Sequence, residues 1–252
     1  MKLARFKVND NTYYGQILNN RVCVLAGNVF HKFNVTDTAY DLDDVKLLAP
    51  VLPGKVICIG LNYALHIGEY DKNLQIPEEP ILFMVSPTAV VGPQEPIVLA
   101  YPEHEIHYEA ELTIVIGKEG RDIPIANAAD HILGYTCGND VSDRTIQKKD
   151  GQWSRAKSFH TYKPLGPYIV TDLDSNNCQV QCRVNDELRQ NGHTRDIIRN
   201  AYYLVSFISQ VMTLYPGDVI MTGTPAGVGP LAAGDICEIE VEGIGVLRNP
   251  VK

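Results

Sequence analysis

The stretch His107–Tyr108–Glu109–Ala110–Glu111 runs directly into Leu112–Thr113–Ile114–Val115–Ile116–Gly117 near the middle of the chain. The second half is apolar and β-branched without alternation, which predicts a strand buried on both faces. Side chains two positions apart in a strand point the same way, so Glu109 and Glu111 share one face. Carboxylates this close repel each other unless a cation lies between them. The stretch therefore indicates either solvated glutamates at a strand end or a divalent-cation site.

The bulk composition is that of an ordinary globular protein. The 252 residues suffice for one large domain, or for one domain with a small appendage. The 22 Lys and Arg residues against 30 Asp and Glu residues give a net charge of −8. This charge argues against nucleic acid and anionic membranes as main partners. An anionic substrate would need local positive charge or a metal ion.

Targeting and membrane segments are not indicated by the sequence. Met1–Lys2–Leu3–Ala4–Arg5 leads into strand-like sequence rather than a signal peptide, and the longest apolar runs are too short to span a membrane. The cysteines are scattered without zinc-type spacing: Cys23, Cys58, Cys137, Cys178, Cys182 and Cys237. Free, buried thiols and a cytoplasmic location are therefore expected.

Strand-like segments dominate, so the predicted class is α+β rather than a repeated βαβ fold. Polar turns and Pro53–Gly54 separate a small N-terminal β domain, residues 1–50, from a larger domain, residues 51–252. The best helix spans about residues 196–212, with Thr194 available as N-cap. Shorter helices are predicted at 127–133 and 145–149.

Two further segments carry possible chemistry. If residues 62–70 form a helical turn, His66 and Glu69 share a face, either as a surface contact or as a catalytic dyad. The glycine-rich run from Thr222 to Gly229 follows a predicted strand and exposes backbone N–H groups. Such a turn is suited to an anion, or it is purely structural. It matches neither a dinucleotide fingerprint nor a P-loop.

In their order along the chain, these motifs resemble the fumarylacetoacetate hydrolase family over residues 56–249, and residues 1–50 resemble the small N-terminal domain of its bacterial and archaeal members. The matching segments are Gly60–Leu61–Asn62–Tyr63 with His66 and Glu69, Tyr108–Glu109–Ala110–Glu111–Leu112, Gly134–Tyr135–Thr136 with Asn139–Asp140–Val141–Ser142, Trp153–Ser154–Arg155–Ala156–Lys157–Ser158–Phe159, Pro164–Leu165–Gly166–Pro167, Pro216–Gly217–Asp218, Thr222–Gly223–Thr224–Pro225–Ala226–Gly227–Val228–Gly229, and Gly243–Ile244–Gly245.

The resemblance implies a mixed β-sandwich roll with few helices, usually as a homodimer. It also implies a Mg²⁺ or Mn²⁺ site made by Glu109, Glu111 and Asp140. The chemistry of these residues agrees, because three carboxylates without a paired His or Cys form a hard oxygen site that suits Mg²⁺, Mn²⁺ or Ca²⁺ rather than zinc.

The resemblance further implies a small-molecule substrate, a 2-oxo or 2-hydroxy-enoic (di)carboxylic acid that reacts through an enolate. By matching positions, Lys157 would add positive charge to the developing oxyanion. Gln147 and Thr224 would hold the substrate, with Arg144 as a further candidate. His66 and Glu69 would activate water, on a segment that closes over the substrate.

Three activities fit these implied roles. C–C bond hydrolysis of an acylpyruvate is favoured, because both dyad residues are present. Decarboxylation or isomerisation of the 2-hydroxyhepta-2,4-diene-1,7-dioate or oxaloacetate type is the alternative, and a metal-bound binding protein without turnover is the second. Two positions depart from the family pattern, since Val85 replaces a lysine and His160 an aspartate. Glu105 and His107 share the face of Glu109 without an assigned role.

Overall fold

The computed structural model describes residues 1–70 and 75–252 of the chain. Within these residues strands dominate. The N-terminal strands are β1 (Lys2–Val8), β2 (Asn11–Leu18), β3 (Arg21–Gly27), β4 (Phe33–Asp41) and β5 (Lys46–Leu47). The later strands are β6 (Val56–Gly60), β7 (Ile81–Val85), β8 (Val90–Val91), β9 (Ile106–Tyr108), β10 (Ala110–Ile116), β11 (Ile132–Asn139), β12 (Ser142–Asp143), β13 (Lys163–Val170), β14 (Gln179–Val184), β15 (Glu187–His193), β16 (Val219–Met221), β17 (Gly229–Pro230), β18 (Ile236–Val241) and β19 (Gly245–Pro250).

Helices are few and short in the described part of the chain. The α-helices are α1 (Ala64–Tyr70), α2 (Arg144–Asp150), α3 (Ser154–Lys157) and α4 (Ala201–Val211). Short 3₁₀ helices lie at Leu42–Asp44, Pro87–Ala89, Ile125–His131 and Thr194–Asp196. No helix among residues 1–70 and 75–252 is long and apolar enough to cross a membrane.

The architecture is a mixed sandwich. The largest sheet runs in the order β4-β3-β2-β1-β13-β11-β10-β16-β6-β7, with β5 beside β1 and β8 beside β13. Most pairs are antiparallel, while β16 and β6 run parallel. A second sheet, β15-β14-β18-β19, packs its inner side chains into the same core as β10 and β11. The predicted α+β class with a mixed β-sandwich is confirmed.

Strand β10 occupies the centre of this core. All seven of its residues are buried. Leu112, Ile114 and Ile116 face the core shared with the second sheet, and Val115 faces the opposite core. This arrangement explains the continuous apolar run in the sequence, because neither face of the strand meets water. The predicted burial on both faces is confirmed.

The N-terminal strands extend the main sheet. Lys2 and Leu3 of β1 pair with Val170 and Ile169 of β13, and Ala4, Phe6 and Val22 form a small core of their own. The small N-terminal β unit of the predicted fold is therefore present. A division into domains 1–50 and 51–252 stays a prediction.

The helix boundaries differ from the sequence prediction. α4 begins at Ala201, and Asn200 caps it by accepting a hydrogen bond from Tyr203 N at 3.0 Å. The predicted start near residue 196 is wrong, because the backbone of Ile198 and Arg199 bonds to Asn62 instead. The short helix predicted at 127–133 is present as the 3₁₀ helix Ile125–His131, so its predicted bounds lie two residues too late. The helix predicted at 145–149 is α2.

Candidate metal and substrate site

Three buried carboxylates converge where β10 and β11 meet. Glu109 precedes β10, Glu111 is its second residue, and Asp140 follows β11. The antiparallel register sets Ala110 opposite Asn139, and Asp140 N donates to Glu109 O at 2.9 Å. One oxygen from each carboxylate lies within 4.8 Å of the others. The strands thus bring together the three residues predicted as metal ligands.

Three cations surround this acidic cluster. Lys157 Nζ lies 2.8 Å from Glu109 Oε2 and 2.7 Å from Asp140 Oδ2. Arg144 Nη2 pairs with Glu109 Oε1. Lys163 Nζ lies 2.7 Å from Asp140 Oδ1. All three cationic side chains are buried, so their charges act on the carboxylates with little screening by water.

The nearby cations stabilise the ionised form of Glu109 more than that of Glu111. Burial opposes ionisation of Glu109, but the charges of Lys157 and Arg144 outweigh it and hold the pKa of Glu109 well below its usual range. Burial raises the pKa of Glu111 well above its usual range, and the charges of Asp140 and Glu109 raise it further. The fold therefore disfavours the ionised form of Glu111, and a cation bound beside it would favour that form.

This donor set fits a hard divalent cation. Oδ1 of Asp140 is buried and accepts no hydrogen bond from the described residues, although Lys163 Nζ lies nearby. Glu111 Oε2 accepts one from Gly223 N at 2.8 Å. Carboxylate oxygens without a competing His or Cys suit Mg²⁺ or Mn²⁺. A divalent cation would give this buried oxygen a further partner beside the Lys163 ammonium group.

Two of the three carboxylates, Glu109 and Glu111, line a cavity of about 130 Å³. Its size suits a small organic acid rather than a macromolecule. The lining combines charged and polar groups with an apolar wall: Ile59, Gly60, Leu61, His66, Phe83, Glu109, Glu111, Arg144, Gln147, Trp153, Lys157 and Thr224. The predicted substrate contacts Arg144, Gln147 and Thr224 all lie on it. Arg144 Nη1 donates to Gln147 Oε1 at 2.8 Å, which ties the first two together.

The predicted dyad lies on α1 at the edge of this cavity. His66 Nδ1 is 3.0 Å from Glu69 Oε2, and His66 is buried. Glu69 Oε1 accepts a hydrogen bond from Gly227 N at 2.7 Å. Of the two dyad residues, His66 lines the cavity and Glu69 does not. Glu69 thus orients the imidazole and joins α1 to the glycine-rich turn.

The glycine-rich turn donates backbone hydrogen bonds to two carboxylate side chains of the same chain. Gly223 N donates to Glu111, and Gly227 N donates to Glu69. Gly223 and Gly227 have φ of +98° and +101°, a left-handed conformation that favours glycine. Thr224 Oγ1 donates to Ala110 O at 2.9 Å. The turn therefore fixes both the acidic cluster and the dyad.

Sequence reasoning missed two buried polar residues beside the site. Lys163 opens β13, where seven of eight positions are buried, and a lysine in such an apolar run was the available signal. Gln190 is fully buried on β15; its Nε2 donates to Thr224 Oγ1 and to Pro225 O, each at 2.7 Å. Its signal was weak, because the sequence around it looks like an exposed hairpin strand.

The unexplained positions lie outside the cavity lining formed by the described residues. Val85, the last residue of β7, packs into an apolar core, and His160 is exposed. His107 Nε2 pairs with Glu105 Oε1 at 2.9 Å. The two departures from the family pattern therefore leave the acidic cluster and its cations intact.

Comparison with known proteins identifies the family. Residues 55–252 match the family model described as fumarylacetoacetate (FAA) hydrolase C-terminal, and residues 1–50 match the one described as Rv2993c-like, N-terminal. The structure is similar to 5-carboxymethyl-2-hydroxymuconate delta-isomerase from Mycobacterium smegmatis, with 46% identity, a TM-score of 0.93, and coverage of 100% of this chain and 99% of that chain.

Two further proteins bear on the chemistry. Oxaloacetate tautomerase fahd2, mitochondrial, from Xenopus laevis is 43% identical over 221 residues, which is 82% of this chain and 70% of that protein. Maleylpyruvate hydrolase from Sphingobium sp. SYK-6, in complex with manganese (II) ion and pyruvate, is 29% identical with a TM-score of 0.83, covering 100% of this chain and 98% of that chain. The resemblance read from the sequence is confirmed, and the chain belongs to the fumarylacetoacetate hydrolase family.

Proposed function

We propose that this chain is a divalent-metal-dependent enzyme that moves a proton beside the carbonyl of a 2-oxo acid, which interconverts keto and enol forms or shifts a conjugated double bond. One observation carries the proposal: Glu109, Glu111 and Asp140 form one buried cluster, and Glu109 and Glu111 line the cavity that His66 also lines. A cation site and a basic group facing one small cavity are the parts that enolisation needs.

Glu109, Glu111 and Asp140 would hold Mg²⁺ or Mn²⁺. When bound, such an ion supplies Lewis-acid polarisation of a carbonyl and charge for an anionic substrate. The manganese and pyruvate in the maleylpyruvate hydrolase structure support this choice of ion and ligand. They also explain how a chain with a net charge of −8 would bind an acid.

The chain's own residues would do the rest. Lys157 is held charged, because Asp140 and Glu109 outweigh the effect of burial and raise its pKa. Its ammonium group would stabilise the developing oxyanion. Arg144, Gln147 and Thr224 would orient the substrate.

His66 would carry the proton. Its Nδ1 faces the Glu69 carboxylate at 3.0 Å, so Nδ1 carries the hydrogen and Nε2 is the basic nitrogen. Nε2 would take a proton from the carbon beside the carbonyl and return it. Glu69 orients the ring and stabilises the charged imidazole while the proton resides there.

C–C bond hydrolysis of an acylpyruvate is the second candidate. The sequence alone favoured it, and the His66–Glu69 pair observed at the cavity suits water activation equally well. The identities of the relatives described above favour proton transfer instead: the isomerase and the tautomerase are 46% and 43% identical to this chain, while the hydrolase is 29% identical. Decarboxylation of an oxaloacetate-type acid would start from the same enolate.

Hydrogen exchange at C3 of pyruvate tests proton transfer alone, because pyruvate carries no acyl group whose C–C bond could be hydrolysed. In D₂O with Mg²⁺ or Mn²⁺, the protein is expected to exchange the methyl hydrogens faster than buffer with metal, as followed by NMR. Glu111→Gln is expected to abolish the excess. No excess exchange with either metal would contradict proton transfer. Release of pyruvate from an acylpyruvate without exchange would favour hydrolysis, and binding without either reaction would favour a binding protein.

Three expectations from the sequence accompany this proposal. The substrate class, a 2-oxo or 2-hydroxy-enoic acid, follows from the chemistry above. The homodimer and the cytoplasmic location stay predictions, which light scattering and fractionation would test.

A further inference from the structure

An apolar wall lines part of the cavity beside its charged groups. Lys157 Nζ lies 5.3 Å from the centroid of the Phe83 ring, and the centroid of the Trp153 ring lies 5.3 Å from that of Phe83 in an edge-on arrangement. Trp153 directly precedes α3 and Lys157 ends it, so one short helix positions both neighbours of the Phe83 ring.

Gly60 makes this wall possible. A Cβ at position 60 would lie 2.1 Å from Cζ3 of Trp153, so only a glycine lets the indole lie directly on the backbone of β6. Ile59 and Leu61 line the cavity on either side of Gly60. The indole is half-buried, which leaves part of its face available to a ligand.

The long-chain cations among the described lining residues are already paired. Arg144 contacts Glu109, and Lys157, although it lies near Phe83, contacts both Glu109 and Asp140. A carboxylate placed against Phe83 and Trp153 would lose its water and would compete with these acidic groups for the Lys157 ammonium. An alkyl or aryl group there would gain from burial.

We propose that the site takes 2-oxo acids with an uncharged alkyl or aryl tail, and that Trp153 and Phe83 form the subsite for this tail. The inference rests on the proposed function, because it uses the carboxylate cluster as the point where the 2-oxo acid end binds. It makes Trp153 a specificity-determining residue. It also sets this chain apart from an enzyme for diacids, whose second carboxylate would need a cation that Glu109 and Asp140 do not already hold.

Three unreactive probes separate the two ends of the ligand: oxamate, N-butyloxamate, and N-(3-carboxypropyl)oxamate of the same tail length. The chain has a single tryptophan, so its fluorescence reports directly on Trp153. With Mn²⁺ present, N-butyloxamate is expected to bind about tenfold tighter than oxamate, by calorimetry, and to change the tryptophan emission. The carboxypropyl probe is expected to bind no tighter than oxamate.

Variants at the wall test the assignment. Trp153→Ala is expected to reduce the butyl-to-oxamate affinity ratio to about twofold or less, since most of the buried tail surface is lost. Trp153→Phe is expected to keep an intermediate ratio, and Trp153→Lys to favour the carboxypropyl probe. Tyr215→Ala removes an exposed aromatic ring outside the cavity lining and is expected to leave the ratio unchanged.

The outcomes distinguish the two proposals. Equal affinities for all three probes, or a ratio unchanged in Trp153→Ala, would overturn the tail subsite and leave the proposed function standing. Tighter binding of the carboxypropyl probe by the natural chain would overturn the apolar preference. Binding of none of the probes in the presence of Mn²⁺ would overturn the proposed function and the tail subsite with it.

Discussion

At the scale of single residues, Asp140 illustrates how the site balances charge. Lys157 contacts its Oδ2, and Lys163 lies beside its Oδ1. Lys163 is fully buried and also donates to the carbonyls of Val141 and Tyr162, at 3.2 and 2.9 Å. A buried carboxylate with two ammonium groups persists because each charge is compensated within the fold.

Replacement of Lys163 tests this balance. Lys163→Met is expected to lower the free energy of unfolding of the metal-free protein by about 3 kcal/mol, because it leaves Asp140 with one buried counter-charge fewer. Urea denaturation measures the change. Lys148→Met removes a 75% exposed lysine that lies 3.5 Å from Glu105, and its effect is expected to stay below about 0.5 kcal/mol. Equal effects in both variants would contradict the balance described.

The proposed roles of His66 and Glu69 predict that replacing each residue lowers the exchange rate by a different factor. His66→Gln is expected to lower kcat for C3 exchange by about 10²- to 10⁴-fold, since it removes the proposed proton carrier. Glu69→Gln is expected to cost about tenfold, because an amide can still accept from Gly227 N while orienting the ring less well. Steady-state rates with Mn²⁺ measure both. A larger loss in Glu69→Gln than in His66→Gln would count against this division of roles.

Single site residues could be predicted from the sequence where a charged side chain occurs next to or within an apolar run. The pair Glu109 and Glu111 is visible because two charges interrupt the entry to an apolar strand. Lys163 was equally out of place at the head of β13, yet its partner Asp140 becomes apparent only once the strands pair. The apolar role of Phe83 could not be read either, because it depends on Gly60 and Trp153 from other segments.

At the scale of elements, Gln190 joins the two sheets at the site. Besides its contacts to the turn, its Oε1 accepts from Ala110 N at 2.9 Å, between Glu109 and Glu111. One buried amide thus fixes the strand that carries two of the proposed ligands. A buried amide with three satisfied hydrogen bonds holds its partners in one arrangement.

Gln190→Met keeps the length of the side chain and removes these hydrogen bonds. The free energy of unfolding is expected to fall by about 2 kcal/mol, because Ala110 N is left buried without a partner. The affinity for Mn²⁺ is expected to weaken several-fold, since the ligand strand loses its support. Gln179→Met, on the exposed side of the same hairpin, serves as the control. Unchanged Mn²⁺ affinity in Gln190→Met would contradict the supporting role.

Element boundaries were predictable only where local signals decide them. The hairpin at Asn185 and Asp186 is local, and both residues have the positive φ that such a turn needs. The start of α4 is set by a residue distant in sequence. Arg199 N donates to Asn62 Oδ1, so the helix begins only at Ala201, after its N-cap Asn200. No periodicity in the sequence reports such a contact.

At the scale of the whole molecule, stability and function oppose each other at the acidic cluster. Burial raises the pKa of Glu111, and the charges of the nearby Asp140 and Glu109 raise it further. Ionised Glu111 therefore destabilises the folded state, and a bound cation would relieve this cost. The sandwich class followed from the family motifs, but the strand order did not, because the β1–β13 and β16–β6 pairings join distant parts of the chain.

Glu111→Gln separates the two effects. In the absence of metal and near neutral pH, the variant is expected to melt at a higher temperature than the natural chain. The reason is that the natural chain must bury or protonate Glu111 on folding, whereas the unfolded chain holds it ionised in water. At 100 times its Kd, Mn²⁺ is expected to stabilise the natural chain by about 2.7 kcal/mol and the variant far less. Differential scanning calorimetry with and without Mn²⁺ measures both. A lower melting temperature for the metal-free variant would contradict the repulsion.

The central claim is that Glu109, Glu111 and Asp140 form one divalent-cation site, and direct titration with Mn²⁺ tests it. Electron paramagnetic resonance of free Mn²⁺ is expected to show one tight site per chain that Mg²⁺ displaces. Asp140→Asn is expected to abolish this site, while Asp174→Asn, outside the acidic cluster, leaves it unchanged. Tight, stoichiometric Mn²⁺ binding that persists in Asp140→Asn would contradict the account.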